Sequence, residues 1–260
     1  MSLDPFDSTS GSPHPAAGVP GPITDLIIVY GGWGATDGGE PLTADETTGA
    51  GRVLSRARGL TDPPGRDKRV LGIQGNLSDL GGVEQGLTFI RRHFHPLGRL
   101  IIYGYSAGGT DALALCRAIW REIPNYDVSN RSFLSTRAAL WHPHITHPRF
   151  TPQRLATIGW VAVDLLITID AAAGPFSGGI ERAVPGLVRW NLNYYQTTRS
   201  LILSRGGPNS GSGTGIRNVD LTGRAEHSTI DELTADASVR AIELIRSTSD
   251  AALTDIPTAL

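Results

Sequence analysis

Serine, aspartate and histidine follow one another along this chain in an order suited to nucleophilic catalysis: Ser106, then Asp170, then His227. A serine hydroxyl is a weak nucleophile, so it needs a neighbouring base that accepts its proton. The base in turn needs a carboxylate that selects its tautomer and stabilises the imidazolium ion. His227 is the only histidine beyond residue 147, which leaves one candidate for a base that follows Asp170.

Ser106 is the central residue of the sequence Gly-Tyr-Ser-Ala-Gly at residues 104–108, directly behind the apolar run 100–103. A nucleophile has to stand clear of its own backbone, so it sits on a sharp, strained turn whose flanking glycines allow close passage of neighbouring chain. The helical pattern at 111–120 would point its first N–H groups at an anion formed there. The alternative is a Gly-rich turn in which the serine merely caps the helix; the strand before it and the helix after it favour the nucleophile.

The acid and the base each have a simpler interpretation. Asp170 follows the apolar run 165–169 and could cap a turn, and His227 could be a surface loop histidine. Both residues nevertheless follow predicted strands, at the carboxyl ends where open α/β sheets place their sites. Asp220 competes as the acid, but it lies inside a predicted strand and close before His227.

Apolar runs and helical patterns alternate along the chain. Continuous apolar character, as in residues 26–30, is typical of a parallel strand covered on both faces. The alternation predicts an α/β protein with a mostly parallel, doubly wound sheet and helices on both faces. The predicted strands are 26–30, 70–73, 100–103, 138–141, 165–169 and 216–221, and the predicted helices are 48–58, 83–94, 111–120, 154–161 and 233–246. The Gly/Ser-rich segment 206–215 is predicted to be a mobile loop.

The strand, the Gly-x-Ser-x-Gly turn and the helix together resemble the nucleophile elbow of the α/β-hydrolase superfamily, and more specifically small bacterial serine esterases and lipase-like hydrolases. The similarity covers roughly residues 25–235 and includes the segments 164–170, 193–196, 218–220 and 227–231. It implies an α/β-hydrolase fold over residues 23–260 as a single domain without a large cap. It also implies that Asp170 is the triad acid and that the chain cleaves carboxylic esters through an acyl-enzyme.

An oxyanion hole requires two backbone N–H donors aimed at the developing negative charge. Ala107, the residue after the nucleophile, is expected to supply one of them. The other is expected from the loop after the first strand, where the resemblance implies His-Gly and this chain has Tyr30 followed by two glycines. Since the donor belongs to the main chain, this difference leaves the site intact but leaves open whether Gly32 or Trp33 donates.

Two other functions use the same residues. An acyltransferase or thioesterase would differ from an esterase only in the acyl acceptor or the acyl donor. A catalytically silent binding scaffold would retain the fold alone, and the presence of all three triad residues in order speaks against it. We expect a small-molecule or lipid ester as substrate and no cofactor. No dinucleotide-binding or phosphate-binding fingerprint is found.

Composition excludes further classes. The chain of 260 residues fits one domain, and its net charge of −2 offers no case for a nucleic-acid partner. Three histidines lie at 142–147 without a nearby carboxylate or cysteine, and the intervening prolines disfavour a metal site, so none is expected. The lone Cys116 permits no intramolecular disulfide and is expected to be a packed thiol.

Residues 1–22 are rich in Pro, Ser and Gly and are expected to form a flexible arm before the domain. They lack the basic and apolar regions of a standard secretory signal, and no apolar run reaches the length of a membrane span. The expected location is therefore cytoplasmic by default. Export by a signal-independent route would leave the same pattern.

Overall fold

The computed structural model describes residues 22–33, 40–75, 81–95, 98–121, 163–172, 180–198, 206–211 and 215–248. The elements in these ranges are β1 (Ile23–Trp33), α1 (Gly49–Gly59), β2 (Arg66–Gly75), α2 (Gly81–His93), β3 (Leu100–Tyr105), α3 (Ala107–Arg121), β4 (Val163–Ile169), β5 (Val188–Tyr195), β6 (Gly215–Asp220) and α4 (Ile230–Ser247). The predicted N-terminal arm up to residue 21, the predicted strand 138–141, the histidine-containing loop 141–148 and the predicted helix 154–161 lie outside the described residues.

The six strands form one sheet in the order β2-β1-β3-β4-β5-β6, and every neighbouring pair is parallel. The predicted α/β class with a parallel sheet is therefore confirmed. From β1 the chain moves outward to β2 and then returns past β1 to β3. The strand order therefore reverses between β1 and β3. Open parallel sheets bind ligands beside the carboxyl ends of the strands at such a reversal.

Alternating side chains of the central strands face two separate apolar cores. Leu26 and Ile28 pack with residues of α2 and α3 on one face of the sheet. Ile27 and Val29 pack with residues of α1 and α4 on the other face. Because both faces of β1 are covered, its central residues 26–30 form a continuous apolar run, as expected for a central parallel strand.

Strand β5 was not predicted from the sequence. Its residues alternate in polarity, and Asn191 and Asn193 are fully buried at 0% exposure. Their amides are satisfied by neighbours rather than by water: Thr168 donates to Asn193 Oδ1 at 2.9 Å and Asn209 donates to Asn191 Oδ1 at 3.0 Å. Alternation of this kind is typical of a strand with one face in water, and it lacks the continuous apolar run from which the other buried strands are predicted.

Trp190 of β5 packs closely against β6, since a Cβ on Gly215 would lie 2.4 Å from its ring. One further expectation about this half of the sheet is corrected. Residues 206–211 of the predicted mobile loop are anchored, since Asn209 is 4% exposed and donates to Thr168 Oγ1 at 2.9 Å. Asn218 of β6 also accepts from the Asn209 N–H at 2.8 Å. The segment thus covers the polar face of β4 to β6 as a fixed part of the fold.

A buried ion cluster ties the amino-terminal ends of β1 and β2 to the last turn of α4. Asp25 is fully buried and pairs with Arg66 and Arg246, and the Arg246 contact measures 3.0 Å. The Arg99 N–H donates to the same carboxylate at 2.8 Å. Removing one partner from such a cluster leaves an uncompensated buried charge.

We expect Asp25→Asn to lower the free energy of unfolding by roughly 3 kcal/mol or more, because the amide NH₂ would face the guanidinium donors. Urea denaturation followed by circular dichroism measures this loss. Asp236→Asn is the matched control, since Asp236 pairs with Arg56 at 2.7 Å on the exposed surface and such pairs contribute about 1 kcal/mol at most. Equal effects of the two substitutions would contradict a structural role for the Asp25 cluster.

Candidate functional site

Ser106 and Asp170 occupy the turns directly after β3 and β4. Their φ angles are 54° and 41°, and among the described residues they alone are non-glycine residues with positive φ. Such conformations cost free energy and persist only where the surroundings enforce them. The two turns enforce each other, because Ser106 N–H donates to Ile169 O at 2.9 Å and Ala172 N–H donates to Ser106 O at 3.0 Å. The fold therefore holds a serine and a carboxylate in strained positions side by side.

The structure brings Ser106, His227 and Asp170 into one hydrogen-bonded chain. Ser106 Oγ lies 2.9 Å from His227 Nε2, and His227 Nδ1 lies 2.8 Å from Asp170 Oδ2. A carboxylate accepts only, so it holds the imidazole proton on Nδ1 and leaves the Nε2 lone pair facing the serine hydroxyl. This arrangement can accept a proton from Ser106 as its oxygen attacks an electrophile.

Two other carboxylates, those of Asp220 and Asp164, lie away from His227. Asp220 is exposed at the end of β6, and hydrogen bonds from Thr222 lower its pKa. Asp164 is at the opposite end of β4, where it pairs with Arg99 at 2.9 Å. Only Asp170 among these three stands at hydrogen-bonding distance from His227.

Gln196 is a partner of Asp170 that sequence reasoning did not identify. Its side-chain amide donates to Asp170 Oδ2 at 2.8 Å, so this oxygen accepts from both Gln196 and His227. Gly206 closes the other side, since a Cβ there would lie 2.0 Å from Asp170 Oδ1. Gln196 directly follows β5, and recognition of that strand would have placed it at the carboxyl edge beside Asp170.

Hydrogen bonds hold His227 in place through its backbone carbonyl as well as through its ring. The hydroxyl of Tyr105 donates to His227 O at 2.7 Å, and the two rings stack with centroids 5.5 Å apart. Burial raises the pKa of Tyr105 well above its ordinary value, with the charge of Asp231 adding to the effect, so the phenol keeps the proton it donates. Asp231 itself accepts from Gly49 N–H at 3.0 Å, which joins the start of α4, just after His227, to the start of α1.

The residues expected to stabilise an oxyanion lie close to Ser106. Helix α3 begins at Ala107, and the first N–H groups of a helix have no acceptor within it. On the other side, a Cβ on Gly32 would lie 3.6 Å from the Ser106 Cβ. Strand β1 carries one extra residue between Tyr30 and Trp33 relative to β2, which is a β-bulge at the edge of the site.

A cluster of metal ligands and a reactive thiol are both absent from the part of the chain that the structure describes. No group of three or more His, Cys, Asp or Glu side chains there is arranged to hold a metal ion. Cys116 is buried, and burial raises the pKa of its thiol to about 12, so it is a packed side chain rather than a nucleophile. None of the helices in the described ranges has both the length and the apolar character needed to cross a membrane.

Comparison with protein-family models found no matching family, and searches of curated proteins and of solved structures found no similar chain.

Proposed function

We propose that this chain is a serine hydrolase of the α/β-hydrolase fold that cleaves carboxylic esters. The observation that carries the proposal is the hydrogen-bonded chain from Ser106 through His227 to Asp170, with the serine on a positive-φ turn between a parallel strand and a helix. The position of that turn, at the reversal of strand order, is where an open α/β sheet binds its ligand.

The geometry supports a two-step reaction. Ser106 Oγ attacks the ester carbonyl while His227 Nε2 takes its proton, which gives a tetrahedral intermediate with a negatively charged oxygen. His227 then returns the proton to the departing alkoxide as the carbon–oxygen bond breaks, and the acyl group stays on Ser106. A water molecule repeats the sequence: His227 removes its proton, its oxygen attacks the acyl carbon, and Ser106 leaves with the proton.

Asp170 and the oxyanion donors act on the charges that appear during this reaction. Asp170 stabilises the imidazolium ion that forms when His227 is protonated. The N–H of Ala107, together with that of Gly32 or Trp33, is proposed to bind the oxyanion. A thioester donor or an alcohol acceptor would use the same groups.

Active-site labelling tests the proposal directly. We expect a fluorophosphonate probe to modify Ser106 in the folded protein, and peptide mass mapping to locate the adduct on that residue. A series of p-nitrophenyl esters from acetate to long acyl chains, with a matched thioester series, then defines the substrate class. Absence of both labelling and turnover in folded protein would instead indicate a scaffold without catalytic activity.

A further inference from the structure

Gln74, near the end of β2, holds the carbonyl group of the peptide that borders the candidate oxyanion site. Its side-chain amide donates a hydrogen bond to Gly32 O. The residue lies on the strand that neighbours β1 on the side away from β3. Ser106 follows β3, so Gln74 and the serine stand on opposite sides of the Gly32–Trp33 peptide.

The orientation of this peptide follows from its geometry. All peptide bonds in the described part of the chain are trans, and in a trans peptide the carbonyl and the N–H point in opposite directions. With Gly32 O directed toward β2 and Gln74, the N–H of Trp33 is directed toward β3 and the Ser106 turn.

The bulge in β1 is what produces this direction. Before the bulge, even-numbered residues of β1 bond toward β3, as Leu26 does by donating to Arg99 O at 2.7 Å. The extra residue between Tyr30 and Trp33 reverses the alternation. The even-numbered Gly32 therefore presents its carbonyl to β2.

The preceding peptide directs its carbonyl to the place where the end of β2 meets the start of α3. Gly31 O would lie 2.2 Å from a Cβ on Gly108 and 2.4 Å from a Cβ on Gly75. The N–H of Gly32 belongs to the same peptide as Gly31 O, so it points away from the start of α3. Of the two candidates left open by the sequence, Trp33 is the one whose N–H is directed toward β3, the strand that Ser106 follows.

From these contacts we infer that Gln74 is a positioning residue that orients the Trp33 N–H as the second oxyanion donor. The role depends on the proposed function, because an oxyanion forms only if Ser106 attacks a carbonyl. Gln74 touches neither Ser106 nor the reacting atoms in this arrangement and acts through the Gly32 carbonyl. A hydrogen bond to that carbonyl keeps the donor in place before the charge develops.

The inference predicts a specific kinetic defect. Gln74→Leu removes the amide donor at similar side-chain size, and we expect kcat for a p-nitrophenyl ester to fall about 10- to 100-fold with KM little changed. The inhibition constant of a trifluoromethyl ketone, whose serine adduct carries an oxyanion, is expected to rise by a similar factor. Gln85→Leu is the control, because Gln85 is an exposed glutamine on α2, and wild-type kinetics are expected for it.

Gln74→Glu provides a second variant that keeps the shape and polarity of the side chain. Its ionised carboxylate cannot donate and repels Gly32 O, so we expect low activity at neutral pH. As the pH falls, the protonated carboxyl can donate again, and the activity relative to wild type at the same pH is expected to rise. Urea denaturation of this variant at each pH separates the recovery of activity from a pH-dependent change in stability.

The outcomes separate this role from the proposed function. Wild-type kcat and inhibition constants in both folded Gln74 variants, or an increase in KM alone, would overturn the role of Gln74 while the hydrolase assignment stands. If the wild-type protein neither reacts with a fluorophosphonate nor turns over any ester, the hydrolase assignment fails and the role of Gln74 fails with it.

Discussion

Alanine at position 106 or 227 is expected to lower ester turnover by at least about a thousandfold, because each substitution removes a member of a unit that acts together. Ser106→Ala removes the atom that forms the acyl-enzyme. His227→Ala removes the base. Among the described residues, it is the only base found at hydrogen-bonding distance from Ser106 Oγ, at 2.9 Å. The kcat/KM of the purified variants with a p-nitrophenyl ester measures both effects.

Two controls make this result specific. Ser247→Ala alters an exposed serine near the end of α4, close to the amino-terminal end of β3 and away from Ser106, and is expected to retain wild-type turnover. Urea denaturation shows whether the inactive variants remain folded. The double variant is expected to lose hardly more activity than either single variant, since the two residues serve one proton transfer. Retained hydrolysis in folded Ser106→Ala would remove the basis of the proposed mechanism.

Asp170→Asn is expected to lower turnover on the order of 10³- to 10⁴-fold, because an amide in this position favours the wrong imidazole tautomer. With the amide NH₂ facing Nδ1, the imidazole proton moves to Nε2 and blocks acceptance of the serine proton. The flipped orientation, with the NH₂ group of the new asparagine at the position of Oδ1, is also unfavourable. Oδ2 accepts from Gln196 and His227, and Oδ1 faces the Gln196 N–H at 3.4 Å, so either position of the NH₂ group meets a donor.

Asp220→Asn is the matched control for this prediction. Asp220 lies on the next strand but one and is bonded to Thr222 on the exposed surface, so its substitution is expected to leave turnover unchanged. Comparison of the pH dependence of kcat/KM for the two variants tests whether the effect acts through His227. A severe loss of turnover in Asp220→Asn together with near-normal turnover in Asp170→Asn would show that Asp220, and not Asp170, is the acid.

The sequence was most informative where an apolar strand is followed directly by a side chain that can take part in catalysis. Strands buried on both faces are usually rich in continuous apolar runs, which made β1, β3 and β4 visible as patterns. A strand followed directly by Gly-x-Ser-x-Gly and a helix allows little besides a serine on a tight turn. Ser106, Asp170 and His227 could therefore be named as candidates from their types and order alone, before any distance between them was known.

Interactions between distant segments were not visible in the sequence. Asn191 and Asn193 of β5 can be buried only because Thr168 and Asn209 satisfy their amides, and nothing in the local sequence announces those partners. The anchored segment 206–211 was mistaken for a mobile loop for the same reason. A polar residue is predicted to be exposed when its hydrogen-bond partners are not visible in the sequence, because burial of an amide is tolerated only when it is hydrogen-bonded.

The same limit applied at the candidate site. The residue types of the candidate triad were sequence information, but the inferred choice of Trp33 over Gly32 depends on a bulge in β1 and on the side chain of Gln74 from a neighbouring strand. The direction of a backbone N–H is set by the peptide plane, and that plane is set by hydrogen bonds across the sheet. Reactive groups can thus be listed from the chain alone, whereas the directions in which they and the backbone donors point are decided only when the strands are assembled.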